Sequence, residues 1–495
     1  MKMNQNNSNN LWETSWDSFE NDVREEAFSF HLSIPTSWIA PFFSSDNTDD
    51  VQVSSYLLRV GVIPLSVQFW IQTFGLLCLQ SLMNIVVAVV VYYTIVEPQM
   101  KEKKLGQQNK QSTTTIPTTS LFPYIVGYGV ICPLLLAWPF VLFQHVLEMY
   151  NIALMLCLTG AIPNLLLLRV TEAIHGLLPD FCYHQTSKEQ NNSPQRSSLT
   201  MLILYYSATL QFRFDPKTQQ PTPLTRDILW EKICKFLSTF LQTSLLFSLL
   251  LHFEYHVFPE PNVVSDESSS SSFGLFLHLW YFLHPLKLAN SFLMASLLSL
   301  VLDGGASGLG LLFALTTGLA MEDFSDSPLT QSTSPSDFWG RRWDKPVESA
   351  LKRGRFRPLR QAGYSRNTAA LMTFIVSGFI HEYVLYFMSL RRHSLSALGS
   401  YDYSTSPTRG RQCLFFIFNG ILLVIERLLD AQDNSSIFKR TSASLASLPR
   451  PWRTLLVLLL VLPMGHWFTD EYIQSSFFVD SAFGFPIIRA EVLKQ

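Results

Sequence analysis

Charge is scarce in this chain of 495 residues: only 15% are Asp, Glu, Lys or Arg, against 48% hydrophobic and 38 phenylalanines. Soluble domains carry about 25% charged residues. Together with a mean hydropathy of +0.19 and repeated long apolar runs, the shortfall excludes an ordinary soluble globule and indicates a polytopic membrane protein. The formal net charge of −2 says little about partners, because the charge is local rather than spread; no nucleic-acid partner is expected. Cysteine is sparse too. Cys78, Cys132, Cys157, Cys182, Cys234 and Cys413 stand far apart with no CxxC or CxxxC pair, so they read as small hydrophobes, and no metal site or catalytic thiol is expected. Neither GxxxxGKS/T, GxGxxG nor GxSxG occurs, which removes the usual supports for nucleotide hydrolysis and serine-hydrolase chemistry. No period of 20–50 residues recurs, which argues against a repeat architecture.

Taken in order, residues 1–55 are polar, with Asp17, Glu20, Asp22, Glu25 and Glu26 close together. They lack the basic start and apolar core of a secretory signal, so a tail is expected there. The first span lies within 62–96, and Lys101, Lys103 and Lys104 mark its end as a candidate cytosolic flank. Apolar runs follow at 121–143 and 149–170, in which Pro133, Pro139 and Pro163 predict kinks or breaks. Residues 171–227 read as a non-spanning loop, 236–258 as a further span and Ser265–Ser272 as a hydrophilic loop. Gly304, Gly305, Gly308 and Gly310 separate the runs 273–301 and 309–321, so a tight turn or re-entrant segment is expected. Residues 325–366 read as a basic loop, 367–390 and 414–429 as spans, and 455–467 as the last strong run. The fold class expected is an all-α polytopic membrane protein, with about 8–10 transmembrane helices. Its organisation is a tail (1–55), a membrane domain (56–480) with its core motif region at 325–390, and a C-terminal tail (481–495). Sequons at Asn6, Asn191 and Asn434 are too common by chance to assign a lumenal side.

The run 367–390 carries His381 and Glu382 at bilayer depth, where an ionisable group costs roughly 2.5–3.5 kcal/mol on insertion scales. On a helix Ser377 lies one turn from His381, Gly378 leaves room beside the imidazole, and Glu382 points about 100° away. His381 is therefore either satisfied by a neighbouring helix or used, and a neutral imidazole suits general-base work. Glu382 reads as a support, paired with Arg391 or Arg392 or bracing a helix through a backbone group. Upstream lies Asp337-Phe338-Trp339-Gly340-Arg341-Arg342-Trp343. As a bland reading this basic stretch sets topology or rests on anionic lipid. The sharper reading is a site for an anionic, phosphate-bearing cosubstrate, with Trp339 and Trp343 on one helix face and Arg341 and Arg342 suited to phosphate. His252 and His256 do not form HExxH, His278 and His284 suit an interfacial belt, and His466 is a weaker second functional candidate.

These motifs together, Phe338 to Trp343 followed by Ser377-Gly378-Phe379-Ile380-His381-Glu382, resemble the membrane-bound O-acyltransferase superfamily, and within it the wax synthase branch of long-chain-alcohol O-fatty-acyltransferases. A weaker echo is Ala208-Thr209-Leu210 before Pro216, similar to a stretch in relatives that acylate diacylglycerol or sterols. The resemblance implies a multi-pass enzyme, expected in the endoplasmic reticulum, that moves a fatty acyl group from acyl-CoA to a long-chain alcohol or another lipid hydroxyl among membrane lipids. It implies no bound cofactor, acyl-CoA being a cosubstrate. His381 matches the family's catalytic His. The second polar position, commonly Asn or His, is here Asp344, and an ionised carboxylate cannot donate the hydrogen bond of an amide. Trp339, Arg341, Arg342 and Trp343 are the expected cosubstrate contacts, with Ser377, Gly378 and Glu382 in support. Diacylglycerol or sterol acylation is the neighbouring alternative, and a proton-coupled transporter with a His381–Glu382 relay the distant one. A transporter would favour inverted repeats, which the sequence lacks.

Overall fold

The structure, a computed structural model, describes residues 30–34, 53–62, 67–108, 121–146, 152–183, 198–215, 217, 220–252, 284–397, 409–431, 447–474, 481 and 484–494. Glu254, His256, the serine run, His278, Pro216 and the three sequons lie outside these residues. The chain is mainly helical. Its principal helices are α1 (Val67–Val91), α2 (Glu97–Gln108), α3 (Cys132–Val146), α4 (Ile162–Ile174), α5 (Ser198–Ser207), α6 (Arg226–His252), α7 (Pro285–Thr317), α8 (Lys345–Leu351), α9 (Arg366–Ala397), α10 (Arg411–Ala431), α11 (Arg450–Val461) and α12 (His466–Gln474). Among the described residues, seven helical stretches are long and apolar enough to cross a membrane: Val67–Glu102, Phe122–Phe143, Leu154–Ile174, Arg226–Leu250, Lys287–Thr317, Arg366–Leu390 and Arg411–Leu429. The last apolar run is not one of them, because a 3-10 turn at Leu462–Met464 divides it into α11 and α12.

The polarity of α1 is reversed from that of a soluble helix. Thr73, Gln80 and Asn84 are buried, while Trp70, Ile71, Phe74 and Leu82 are exposed. Gln80 donates to Asn84 (2.8 Å) and accepts from the Trp138 indole N–H (2.8 Å). Inside a membrane protein such polar groups must find one another, whereas the apolar face needs only lipid.

Proline acts through helix winding rather than by breaking spans. Four π turns, Tyr92–Val96, Gly127–Ile131, Cys157–Ala161 and Lys352–Phe356, each stand just ahead of an X-Pro pair: Pro98, Pro133, Pro163 and Pro358. A proline ring clashes with the carbonyl four residues before it. That carbonyl belongs in every case to the middle residue of the π turn, where the extra residue widens the ladder. Pro139 instead sits inside α3.

Two expectations are corrected. Gly304, Gly305, Gly308 and Gly310 make no turn: α7 runs through all four and ends only at Gly318, in the left-handed conformation (φ 70°). The neighbouring helix α6 packs there, with Phe236 beside Gly308. The stretch 325–366 is not a loop either. It is a succession of short helices and π turns from Pro328 to Gln361. The structure also adds a small antiparallel sheet that sequence periodicity did not signal, in the order β1 (Phe30–Ile34), β2 (Val53–Val62), β3 (Pro486–Lys494). It joins segments from before α1 and after α12, and next to β3 the Phe485 ring stacks on Phe240 at 5.0 Å.

Helices α9 and α10 pack backbone against backbone. At Gly378 an added Cβ would lie 2.8 Å from the Cys413 Cα, and at Gly420 one would lie 2.9 Å from the Phe374 Cβ. Small residues at both contacts let the backbones approach. Gly378→Ala should cost about 1–3 kcal/mol by overpacking and lower the thermal midpoint of the detergent-solubilised protein. Gly305→Ala, where nothing lies within 4 Å, should leave the midpoint unchanged or higher.

Candidate active site

The two faces of α9 do different work. One carries Gly378 and Glu382, a turn apart, and packs on α10. Glu382 Oε1 accepts the backbone N–H groups of Gln412 (2.8 Å) and Cys413 (3.2 Å). These belong to the first turn of α10, whose orphan donors and dipole favour an anion. Glu382 thus braces α10 through backbone groups. The space beside Gly378 is not open to the imidazole, because Cys413 fills it.

The other face carries Ser377 and His381. The His381 Nδ1 lies 2.7 Å from the Ser377 carbonyl. A carbonyl can only accept, so Nδ1 bears the proton and Nε2 keeps its lone pair. The ring is tilted over Phe416 (centroids 4.2 Å apart) and meets the edge of Phe468 at 5.6 Å.

The aromatic-basic segment reaches this face through its tryptophans. Ser334 caps the short helix Pro335–Asp337 by accepting the Asp337 N–H (3.1 Å), and the π turn Phe338–Arg342 follows. Trp343 stacks on Phe338 at 5.5 Å and meets Trp339 at 6.1 Å. Trp339 donates its indole N–H to Asn419 of α10 (3.0 Å), and Glu426 accepts the Ser336 N–H (2.8 Å) and hydroxyl (2.7 Å). Helix α10 therefore docks the whole turn.

The two arginines do not join the site. Arg342 is spent on Asp337 (3.0 Å), on the Asp326 carbonyl and carboxylate (3.0 Å each) and on Gln331 (3.3 Å). Burial alone would raise the Asp337 carboxyl, but hydrogen bonds from Arg342 and Thr333 outweigh it and hold the group below the usual carboxylate range. Arg341 is exposed and bonds the other Asp337 oxygen at 3.1 Å. Both guanidiniums lock the π turn and are absent from the cavity wall.

Asp344 does line the cavity. Its backbone is left-handed (φ 34°, ψ 65°), which Asp tolerates better than most residues. It caps α8, its Oδ1 accepting the Val347 N–H at 3.2 Å. Burial pushes its carboxyl up to about 7, with the Val347 bond opposing the rise. The expected handicap of an ionised Asp is therefore relieved: near neutral pH a large fraction is the acid, which can donate.

Two cavities share a wall of His381, Trp339, Trp343 and Phe416. The larger, about 300 Å³, also holds Ser377 and Asp344 and has Lys352, Arg366 and Arg427 among its lining residues. Nη1 of Arg427 is buried with no hydrogen-bond partner. The smaller, about 60 Å³, is almost wholly apolar, with Leu298, Leu458, Val461 and Phe468 and the hydroxyl residues Ser291 and Thr469. His466 is buried near it, Nδ1 3.0 Å from the Pro463 carbonyl, but does not line it. Arg427 was missed in the sequence although its signal was the same as that of His381: an ionisable residue inside an apolar run.

Residues 322–400 match the family described as membrane bound O-acyl transferase. The chain is 31% identical over 157 residues to a probable long-chain-alcohol O-fatty-acyltransferase 9 of Arabidopsis thaliana, covering 30% of this chain and 41% of that protein. It is 32% identical over 99 residues to the probable long-chain-alcohol O-fatty-acyltransferase 8 of the same plant, covering 19% and 29%. It is also 27% identical over 148 residues to acyl-CoA–sterol O-acyltransferase 1, again from Arabidopsis thaliana, covering 28% and 36%. The chain spans less than half the length of these relatives.

The geometry separates the paired arginines by role. Arg342→Gln should lower the thermal midpoint by breaking a partly buried ion cluster, a loss of about 2–4 kcal/mol. Arg341→Gln should cost under about 1 kcal/mol. Equal midpoints for the two variants would contradict the assignment.

Proposed function

We propose that this protein, which carries a membrane bound O-acyl transferase segment at 322–400, transfers a fatty acyl group from acyl-CoA to the hydroxyl of a long-chain alcohol and so forms a wax ester. One observation carries the reading. A histidine with its Nδ1 proton engaged and its Nε2 free stands where a cation-lined cavity meets an apolar one. The acyl-CoA would enter the larger cavity, its phosphates meeting Lys352, Arg366 and Arg427, whose unmet N–H suits an anionic oxygen. The alcohol chain would enter through the smaller one, whose lining is largely apolar.

In the reaction His381 Nε2 takes the alcohol proton as the oxygen attacks the thioester carbonyl. The tetrahedral intermediate collapses, the C–S bond breaks, and the departing thiolate takes the proton from the imidazolium. Ester and CoA thiol leave, and His381 is neutral again. No covalent acyl-enzyme is needed, because both chains are held in register and proximity supplies much of the acceleration. The Ser377 carbonyl steadies the imidazolium, and a neutral Asp344 donates a hydrogen bond within the same cavity. The membrane of residence we propose is the endoplasmic reticulum.

Membranes containing the protein, supplied with labelled acyl-CoA and separate long-chain alcohols, diacylglycerol and sterol, should form ester chiefly from the alcohols. His381→Ala should lower the rate by at least about 10²-fold, the contribution of a general base. Undiminished ester formation by that variant would sink the mechanism. A sterol preference would transfer the reading to the sterol-acylating relative. Because the neutral form of Asp344 predominates only below about 7, kcat should fall as pH rises through that value. Asp344→Asn should flatten this limb, and an identical limb in the variant would remove Asp344 from it.

A further inference from the structure

A second polar cluster lies away from the histidine. It is centred on α4, the most deeply buried of the spans. Glu172 is fully buried, and Arg169 is almost so. Glu172 Oε2 accepts the Tyr205 hydroxyl at 2.7 Å and stands 3.2 Å from Arg353 Nε, an ion pair without a hydrogen bond at that nitrogen. Arg353 Nη2 donates in turn to the Tyr205 hydroxyl (2.9 Å) and to Ser349 (3.1 Å). Arg169 lies over the Tyr205 ring, 4.5 Å from its centre, and donates to the carbonyls of Tyr205 and Ala208, both at 2.5 Å.

Burying these charges is a poor way to gain stability, since desolvation offsets much of the attraction and apolar replacements are often as stable. What ionic hydrogen bonds provide that apolar contact does not is direction. Here the direction is specific. Arg353 belongs to the π turn Lys352–Phe356. Its neighbours Leu351 and Lys352, together with Phe356, line the larger cavity, as does Asp344 at the start of α8. One turn of chain thus points Arg353 inward at α4 and Lys352 outward at the cavity. Next to it Gly354 is pressed against α4: an added Cβ would lie 2.9 Å from the Leu168 carbonyl.

We infer that Glu172, Arg353 and Tyr205 are positioning residues that set the wall from Asp344 to Phe356 against His381, and with it the grip on the acyl donor. The inference rests on the acyl-CoA reading above for its kinetic form. The strut reaches the larger cavity alone: Leu351, Lys352 and Phe356 line that cavity and not the smaller one, and beside the strut Ala350 and Leu351 pack on Leu165 and Leu168 of α4.

The full-length protein in membranes tests it. Glu172→Gln keeps the shape and removes the charge, and Tyr205→Phe removes one hydroxyl, so at least one variant should remain monodisperse in gel filtration. The expected result is an acyl-CoA KM raised about tenfold, a misplacement effect, with the alcohol KM within about twofold of wild type. Adding Arg353→Gln to Glu172→Gln should bring little further change, as coupled residues do. A well-folded variant with unchanged acyl-CoA KM, or with both KM values shifted alike, would overturn the inference. A second readout is independent of catalysis. In a background with the exposed Cys78 and Cys234 replaced by serine, the maleimide labelling rate of Lys352→Cys should change at least about threefold when Glu172→Gln is added, as expected for coupled neighbours. If wild type forms no ester the reading of function fails, while an unchanged labelling rate would refute the positioning.

Discussion

The carboxylate of Glu382 on the first turn of α10 is the contact on which the site depends. It holds together the two helices that supply nearly everything else. Helix α9 offers Ser377 and His381 on its free face. Helix α10 offers Phe416 under the imidazole, Asn419 to the Trp339 indole, Glu426 to Ser336 and Arg427 to the larger cavity. Gly378 and Gly420 allow the two backbones to approach far enough for this. In a membrane interior the cap has particular weight, because helix-end N–H groups left without water or a partner would each be costly.

Around that pair, charge is sorted by whether it is already satisfied. Asp337 absorbs Arg341 and Arg342, and Glu172 absorbs Arg353. The remaining cations at the larger cavity, Lys352, Arg366 and Arg427, line it together with two carboxyl groups, Asp344 and Glu348, the latter paired to Lys352 at 3.7 Å. Both tryptophans stand between the two cavities, so the motif's aromatic residues shape the site while its arginines hold the turn that presents them. The same economy appears along the spans, where π turns absorb the prolines without interrupting the helices.

Much of this was legible in the chain. The scarcity of charge and the length of the apolar runs point to membrane helices, because lipid tolerates few other backbones. The cost of ionisable groups at depth singled out His381 and Glu382, and helical periodicity alone assigned them to different faces. The glycines of α7 misled, because glycine permits a turn without requiring one. The 325–366 stretch misled because prolines and basic residues are as compatible with short helices as with a loop.

What the sequence determined by itself was therefore local: which segments are apolar enough to span, which side chains are too costly to be incidental, and which residues share a helix face. These follow from periodicity and transfer energies that any short segment carries within it. Only the tertiary structure decided which charges are spent and which are available. That Arg341 is paired and Arg427 open to a ligand is not written in their local sequences: Asp337 stands beside one while a cavity lies beside the other. It also decided that Asp344, half-buried in the cavity wall, has its carboxyl pushed up to about 7. Partnership and desolvation depend on residues far away in the chain, and no local pattern records them.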